Sequence, residues 1–548
     1  MKPTWKVPNP VHFAIERFKQ THKSILITFY NRFHKTQMGM VYAIICPAMR
    51  NKNQQTQTTS TRLFPSLAIL SLLVLLSSGC GAPGHEPFVQ TLPGDSTGHW
   101  IPETERTHPY RVIGLDPHRR SYFMLPELPP SDNADQKVTQ ELERQLFFLN
   151  YRFSHGTIVE SLPGGRWYVS VPDSAAVTDS LGNEWTYFKD YLRERAGWDS
   201  DDLKQRAIPF KTTFPLIWTQ DAAELVARSG IAGWELYAGP QDNEPYHRLI
   251  AGLTETFPDV FKKHDLPSEL SAEGGDLEVV PGPDRKPTLL LGRHRVIRYM
   301  ELKYPGWDYQ SPVPKEKIEE ARAAYSEAFG GLPVIIVTER ALREPSKASE
   351  ELFHLDMVAS VMDNGQTAHP HVFIPKFSAQ KVVDAYTGKT LPSSLTNKVE
   401  WEFDEAARQL SALGYIVIRL PFNDHPARSP VNFGKSKDPQ TGRYRACLAK
   451  YPYHLPQGDP QTPQALLMEA IYRLGDRVEE WKAAGNNDTL SAVQEALRNL
   501  WVVIQETDAA PSPLHEQRAK LMRDAGYDVV EVHCYAWGSG SIHCQALR

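Results

Sequence analysis

Four short segments of this 548-residue chain carry the polar residues best placed to do chemistry. Ile217-Trp218-Thr219-Gln220-Asp221 delivers an amide and a carboxylate at the end of an apolar approach. In Glu273-Gly274-Gly275-Asp276 the two glycines let the backbone turn sharply and bring Glu273 against another segment. If Phe353-His354-Leu355-Asp356-Met357-Val358 is extended, His354 and Asp356 share one face and their apolar neighbours the other. The fourth segment, Gly538-Ser539-Gly540-Ser541-Ile542-His543-Cys544, stands four residues from the end of the chain. Singly, each has a plain structural reading. An Asp after Trp caps or turns, a Gly-Gly pair leads into a strand, a His-x-Asp pair hydrogen-bonds locally, and a lone cysteine is a small buried hydrophobe.

Together the four suit one task. A planar guanidinium needs carboxylates that accept its forked donors, a role open to Asp221 and Asp356. Attack at its central carbon needs a thiolate, and Cys544 is the candidate. Departing ammonia must be protonated and a later water activated, which suits the near-neutral pKa of a histidine, here His354. Glu273 would hold that histidine and stabilise its charged form.

The elements that must position these residues follow from periodicity. A helix is expected from Gln136 to about Phe153 and a strand over Trp167–Val171, with further helices over Gln464–Ala484 and Thr489–Ile504. Three segments repeat one design, an amphipathic helix, a glycine stop and a β-branched run, ending at Val337, Leu420 and Val532. Gly331, Gly414 and Gly526 stand where a left-handed cap releases the chain into a strand. The repetition predicts an α/β fold with internal pseudo-symmetry. Arg293, His294, Arg295 and Arg298 read either as a carboxylate- or carbonyl-binding group or, preferably, as a solvated strand face.

Residues 1–80 read as an address. The apolar run Leu67–Leu76 is too short for a bilayer-spanning helix, which needs about 20 residues, but suits the core of a secretory signal with Arg50, Lys52 and Arg62 before it. Ser77-Ser78-Gly79-Cys80 then matches a bacterial lipobox in which Cys80 is lipidated, although Leu76 falls one place early. A start at Met49 or Met40 would leave a signal of ordinary length. The expected protein is therefore an exported lipoprotein held to a membrane through Cys80. Residues 81–135, rich in Pro, Gly, Ser and Asp, read as a tether of low structure, residues 136–205 as an N-terminal subdomain or decoration, and residues 206–548 as the catalytic domain.

Composition sets the outer limits. With 41% hydrophobic and 23% charged residues the chain is an ordinary globular one, and a net charge of −5 excludes a basic nucleic-acid binder with a large phosphate footprint. Five cysteines are too few for a disulfide scaffold. Two rivals stand beside the guanidinium reading. His533-Cys534 and His543-Cys544 supply enough ligands for one zinc, but adjacent residues of a strand at 528–535 point to opposite faces. The other is a surface binding lipoprotein without catalysis.

In their order and wording the four motifs resemble the guanidino-modifying enzymes of the pentein superfamily: arginine deiminases, agmatine deiminases, protein-arginine deiminases and amidinotransferases. The Glu273–Asp276 and Phe353–Asp363 segments resemble arginine deiminases, Ser541–Cys544 after its glycine-rich turn resembles agmatine deiminases, and Trp218–Asp221 resembles protein-arginine deiminases. The resemblance runs from about residue 215 to the end. It implies a five-bladed α/β propeller of ββαβ-type units, with Cys544 as nucleophile, His354 as general acid and base, Asp221 and Asp356 as the guanidinium clamp, Glu273 in support, and Trp218 and Gln220 at the substrate. The implied substrate is a small guanidine or a peptidyl-arginine, the product a ureido compound or, for an amidinotransferase, an amidine passed to an amine. Arginine deiminases usually carry Arg where Gln220 stands, which separates this chain from them. Gln220 and Glu224 match calcium positions of the animal protein-arginine deiminases, too few for a calcium site, and the implied reaction needs no cofactor.

Overall fold

The computed structural model describes residues 99–543 except 103–105, 107–109, 115–127, 129–135, 156–157, 162–164, 173–181, 213–218, 230, 232, 241, 385–388, 439–440, 451–462, 511 and 534–542. The segment expected as a signal, with Cys80, lies outside the described residues, as do Trp218, Cys534 and Cys544. The described residues all lie within one unit, His85–Arg548.

Sixteen strands among the described residues form five small sheets. β1 (Trp100–Ile101) belongs to the second sheet, while β2 (Tyr110–Gly114), β3 (Arg166–Pro172) and β4 (Ala207–Thr212) make the first, all parallel. The second continues with β5 (Glu224–Arg228), β6 (Trp234–Ala238) and β7 (Phe261–Asp265). The third holds β8 (Leu277–Pro281), β9 (Pro287–Leu291) and β10 (Val334–Ile336), and the fourth β11 (Ser360–Met362), β12 (His371–Phe377) and β13 (Ile416–Phe422). β14 (Gly434–Lys437), β15 (Tyr444–Lys450) and β16 (Asp528–His533) complete the fifth.

The second to fifth sheets share one plan. Two strands pair antiparallel, and the chain then crosses through helix to a third strand parallel to the middle one. The helix, glycine and strand segments read from the sequence are these crossovers. The helices Lys315–Ala328, Ser393–Ala412 and Pro513–Asp524 lead into β10, β13 and β16. Gly331, Gly414 and Gly526 release the chain at φ of 85°, 105° and 90°.

Alternate residues of one strand feed different cores, because side chains on a strand point to opposite faces with period two. Val226 of β5 and Val279 of β8 share a core between the second and third sheets, whereas Val280 packs with Val361 and Val372 between the third and fourth. Phe373 and Leu420 meet Ala446 and Leu448 between the fourth and fifth. Cys447, Ala449 and Val532 meet Val169 and Val171 between the fifth and first, and Tyr168 meets Leu225 and Leu236 between the first and second. The sheets thus pack in cyclic order, and the central strands β3, β6, β9, β12 and β15 each feed a core on either face. A separate helical layer joins Gln136–His155 to Pro463–Ala484 and Asn487–Ala509, with Leu142, Leu146 and Leu149 against Leu474, Val478, Leu497 and Leu500.

Three local expectations need correction. The stretch expected as a tether contains β1 and β2, with Trp100, Ile101, Val112 and Ile113 buried; strands this short leave no readable period. Residues 136–205, expected as a subdomain or decoration, include β3, the central strand of the first sheet. The arginines expected on a solvated strand face stand on a helix, Arg293–Lys303, whose buried Val296, Tyr299 and Met300 keep a helical spacing. Arg293 and Arg295 are themselves buried and paired.

Arg293 anchors the loop that leads to His354. Its Nε donates to Glu402 Oε2 at 3.0 Å and its Nη2 to the Ser349 carbonyl at 2.6 Å, while Glu402, wholly buried, also accepts from the Ser349 N–H. Burial raises the Glu402 carboxyl against the pull of Arg293. Removing one partner of such a pair is costly. Arg293→Met should lose about 3–5 kcal/mol in urea unfolding, and Arg293→Met with Glu402→Leu should recover much of it.

Candidate active site

Three segments from three sheets meet at one point. Asp221 sits on a single 3-10 turn, Gln220–Ala222, ahead of β5, where Thr219 Oγ1 ties the turn to the first sheet by donating to the Val112 carbonyl at 2.7 Å. Glu273 opens a turn ahead of β8, closed by the Asp276 N–H on the Glu273 carbonyl at 2.8 Å. His354 has extended backbone, and Leu355–Met357 form a 3-10 turn rather than the expected strand. His354 and Asp356 still approach, with Nδ1 and Oδ1 4.0 Å apart.

Gly274 and Gly275 lie in the expected turn, but since neither has a positive φ it is close approach that demands glycine there. A Cβ on Gly274 would lie 2.3 Å from the carbonyl oxygens of both Gln220 and Ala223. One on Gly275 would lie 2.7 Å from His354 Nδ1 and 3.1 Å from Asp221 Oδ1. The Gly-Gly backbone is held on both sides: Gln220 Nε2 donates to the Gly274 carbonyl at 3.2 Å, and the Asp356 N–H to the Gly275 carbonyl at 3.1 Å.

Side chains then converge over that backbone. His354 Nε2 lies 3.1 Å from Glu273 Oε1, and ligand-capable atoms of Asp221, Glu273 and His354 all lie within 4.8 Å of one another. Arg295 braces the group, donating from Nη2 to Glu273 Oε2 at 2.7 Å, from Nε to Asp276 Oδ2 at 2.8 Å and from Nη1 to Ser271 Oγ at 2.8 Å. Sequence reading missed this anchor, because an Arg-His-Arg string carries no sign of burial. Asp221 Oδ1 is buried and has no hydrogen-bond partner among the described residues. On the far side of Asp356, Oδ2 accepts from Asn432 Nδ2 at 2.7 Å and lies 3.1 Å from His543 Nδ1. His543 is the neighbour of Cys544 in the chain.

Two of the carboxyls are pushed in opposite directions. Burial drives Asp221 up to about 8, with Glu273 and Asp356 adding to the rise and His354 opposing it. Burial would also raise Glu273, but His354 and Arg295 outweigh it and hold that group down to about 2. Asp276 is raised by burial to about 6 against the pull of Arg295. Carboxyls held apart in this way mark a site built for a charge to arrive, or for proton transfer.

Asp221, Glu273 and His354 are also a donor set of the kind a metal ion uses, although Glu273 is already committed to His354 and Arg295. Of the residues matching calcium positions, Gln220 donates to Gly274 and Glu224 Oε1 accepts the Val279 N–H at 3.3 Å. The histidines of the zinc alternative have different partners, His533 with Asp508 and Glu531, His543 with Asp356 and Asn432.

No family model matches the chain, and no curated protein matches it. Among solved structures it is similar to an agmatine deiminase from C. jejuni, at 12% identity over 82% of this chain and 94% of that one, with a TM-score of 0.38. It is also similar to the N-terminal domain of ArgZ, a cyanobacterial arginine dihydrolase of the ornithine-ammonia cycle solved as a substrate-bound mutant. There identity is 10% over 80% of this chain and 97% of that one, with a TM-score of 0.29. Such TM-scores describe a loose likeness.

The raised Asp221 pKa fixes the sign of a stability effect. Between its ordinary 3.8 and about 8 the folded protein holds a proton that the unfolded chain releases, so this group's contribution falls as pH rises through that window. Asp221→Asn should therefore be stabilised relative to wild type by an amount that grows from pH 4 to pH 8, read from urea midpoints. A difference independent of pH would contradict the assignment.

Proposed function

We propose that this chain hydrolyses a guanidinium group to a ureido group and ammonia. The observation that carries the reading is the convergence of Asp221, the His354–Glu273 pair and Asp356 on one buried point, with the residue before Cys544 hydrogen-bonded to Asp356. The cyclic packing of five sheets supports a five-bladed propeller as the frame, and the order of the motifs supports kinship with pentein-type enzymes.

In this reading a cationic guanidinium enters between Asp221 and Asp356. It satisfies the orphaned Asp221 Oδ1 and expels the proton that burial keeps there below about pH 8. The Cys544 thiolate attacks the central carbon, forming a C–S bond. His354, charged and held by Glu273, gives a proton to one nitrogen, and the C–N bond breaks to release ammonia. A thiouronium remains on Cys544. Neutral His354 then takes a proton from water, whose oxygen attacks the same carbon; the C–S bond breaks, the hydroxyl proton passes to solvent and is taken up by the released ammonia, the ureido product leaves and the thiolate returns. An amine in place of that water would make the chain an amidinotransferase.

Arg293 and Arg295 are spent on buried carboxylates, so neither is offered to a substrate carboxylate. That favours a guanidine whose other end is uncharged, cationic or embedded in a peptide. The full chain should release ammonia and a ureido product from one of agmatine, arginine or an arginine peptide, and folded Cys544→Ala should lose at least about 10³-fold of that rate. Unchanged turnover in folded Cys544→Ala would sink the mechanism.

A further inference from the structure

Asn432 lies between the short helix Pro426–Arg428 and β14, 2% exposed, in a stretch that carried no functional signal in the sequence. Both ends of its amide are used. Nδ2 donates to Asp356 Oδ2 at 2.7 Å, and Oδ1 accepts the His543 backbone N–H at 2.9 Å. His543 closes the triangle with Nδ1 at 3.1 Å from the same Asp356 oxygen. A carboxylate only accepts, so in this contact His543 Nδ1 carries the proton. The loop behind Asn432 is itself fixed: Ser429 Oγ donates to the Met357 carbonyl at 2.7 Å, and Arg428 Nε and Nη2 hold Asp424 at 2.9 and 2.8 Å.

We propose that Asn432 is a positioning residue, docking the His543 backbone onto Asp356 and so fixing the chain one residue before Cys544. The inference rests on the reading of Cys544 as nucleophile given above. Adjacent Cα atoms are about 3.8 Å apart across a trans peptide, so a bond that fixes the His543 N–H fixes the point from which Cys544 departs. Only a side chain that donates at one end and accepts at the other serves both neighbours. A carboxylate at 432 would set oxygen against Asp356, and an apolar side chain would release the segment. The same contacts give Asp356 Oδ2 two donors and so orient the carboxylate, with Oδ1 toward His354.

The test uses the full chain with Asn432→Leu and Asn432→Asp, reading kcat and KM across pH together with hydrogen exchange at the His543 amide. Asn432→Leu should lose roughly 10- to 100-fold in kcat with KM little changed, and its His543 amide should exchange faster by a similar factor. Asn432→Asp keeps the acceptor for that amide but repels Asp356. Its activity should recover as the new carboxyl is protonated, which moves the pH profile toward acid, a shift that mere loosening would not produce. If Asn432→Leu does not fold, Asn432→Asp carries the same comparison. Wild-type kcat and wild-type His543 exchange in a folded variant would overturn the proposal. Faster His543 exchange in the variant, beside a wild type that releases no ammonia from any guanidine, would keep the docking role and overturn only the nucleophile assignment.

Discussion

The site depends on one steric constraint: three backbone segments from different sheets must touch, and nothing larger than hydrogen fits between them. Gly274 and Gly275 occupy that gap, pressed on one side by the carbonyls of Gln220 and Ala223 and on the other by His354 and Asp221. Close approach lets a carboxylate from one sheet, a second from the next and a histidine from a third share a space a few ångströms across. The cyclic packing brings those segments together, because the turns before β5 and β8 and the turn before β11 belong to consecutive members of the ring.

Such crowding concentrates negative charge in a place with little water, and the structure answers it unevenly. Arg295 offsets Glu273 and Asp276, and His354 offsets Glu273 again, while Asp221 has burial and two acidic neighbours but no direct cation. Burying a carboxylate without a partner is unfavourable, so burial favours the neutral form of Asp221, and a cation beside it would favour the charged one. A guanidinium, planar and always charged, offers the forked donors that such a site lacks. In the proposed reaction the charge imbalance acts as a form of specificity, expressed in protonation rather than in shape.

Much of this was legible in the amino-acid order. Asp221, Glu273, His354 and Asp356 stood out as a set: singly each segment has a plain structural reading, but together they suit one chemical task and follow the order of known motifs. The crossovers into β10, β13 and β16 were readable because helix, glycine stop and β-branched run each leave a local mark. What stayed hidden was non-local. Asn432 gains its meaning from partners 76 and 111 residues away. Arg295 looked like a surface charge because its partners, Glu273 and Asp276, precede it by about six helical turns' worth of chain with a hairpin between. β1 and β2 were lost because strands of two and five residues carry too few side chains to show a period. The turn at the two glycines was legible, but not the neighbours that, rather than their own dihedral angles, require glycine there.

The central claim is covalent, that the guanidinium carbon passes through a bond to Cys544. Acid quenching during turnover, followed by peptide mass analysis of the C-terminal segment, tests it directly. The account predicts a transient gain on the Cys544 peptide equal to the mass of the substrate less ammonia, decaying as substrate is exhausted. Continuous ammonia release with that peptide unmodified at every quench time, or the same adduct on another residue, would contradict it.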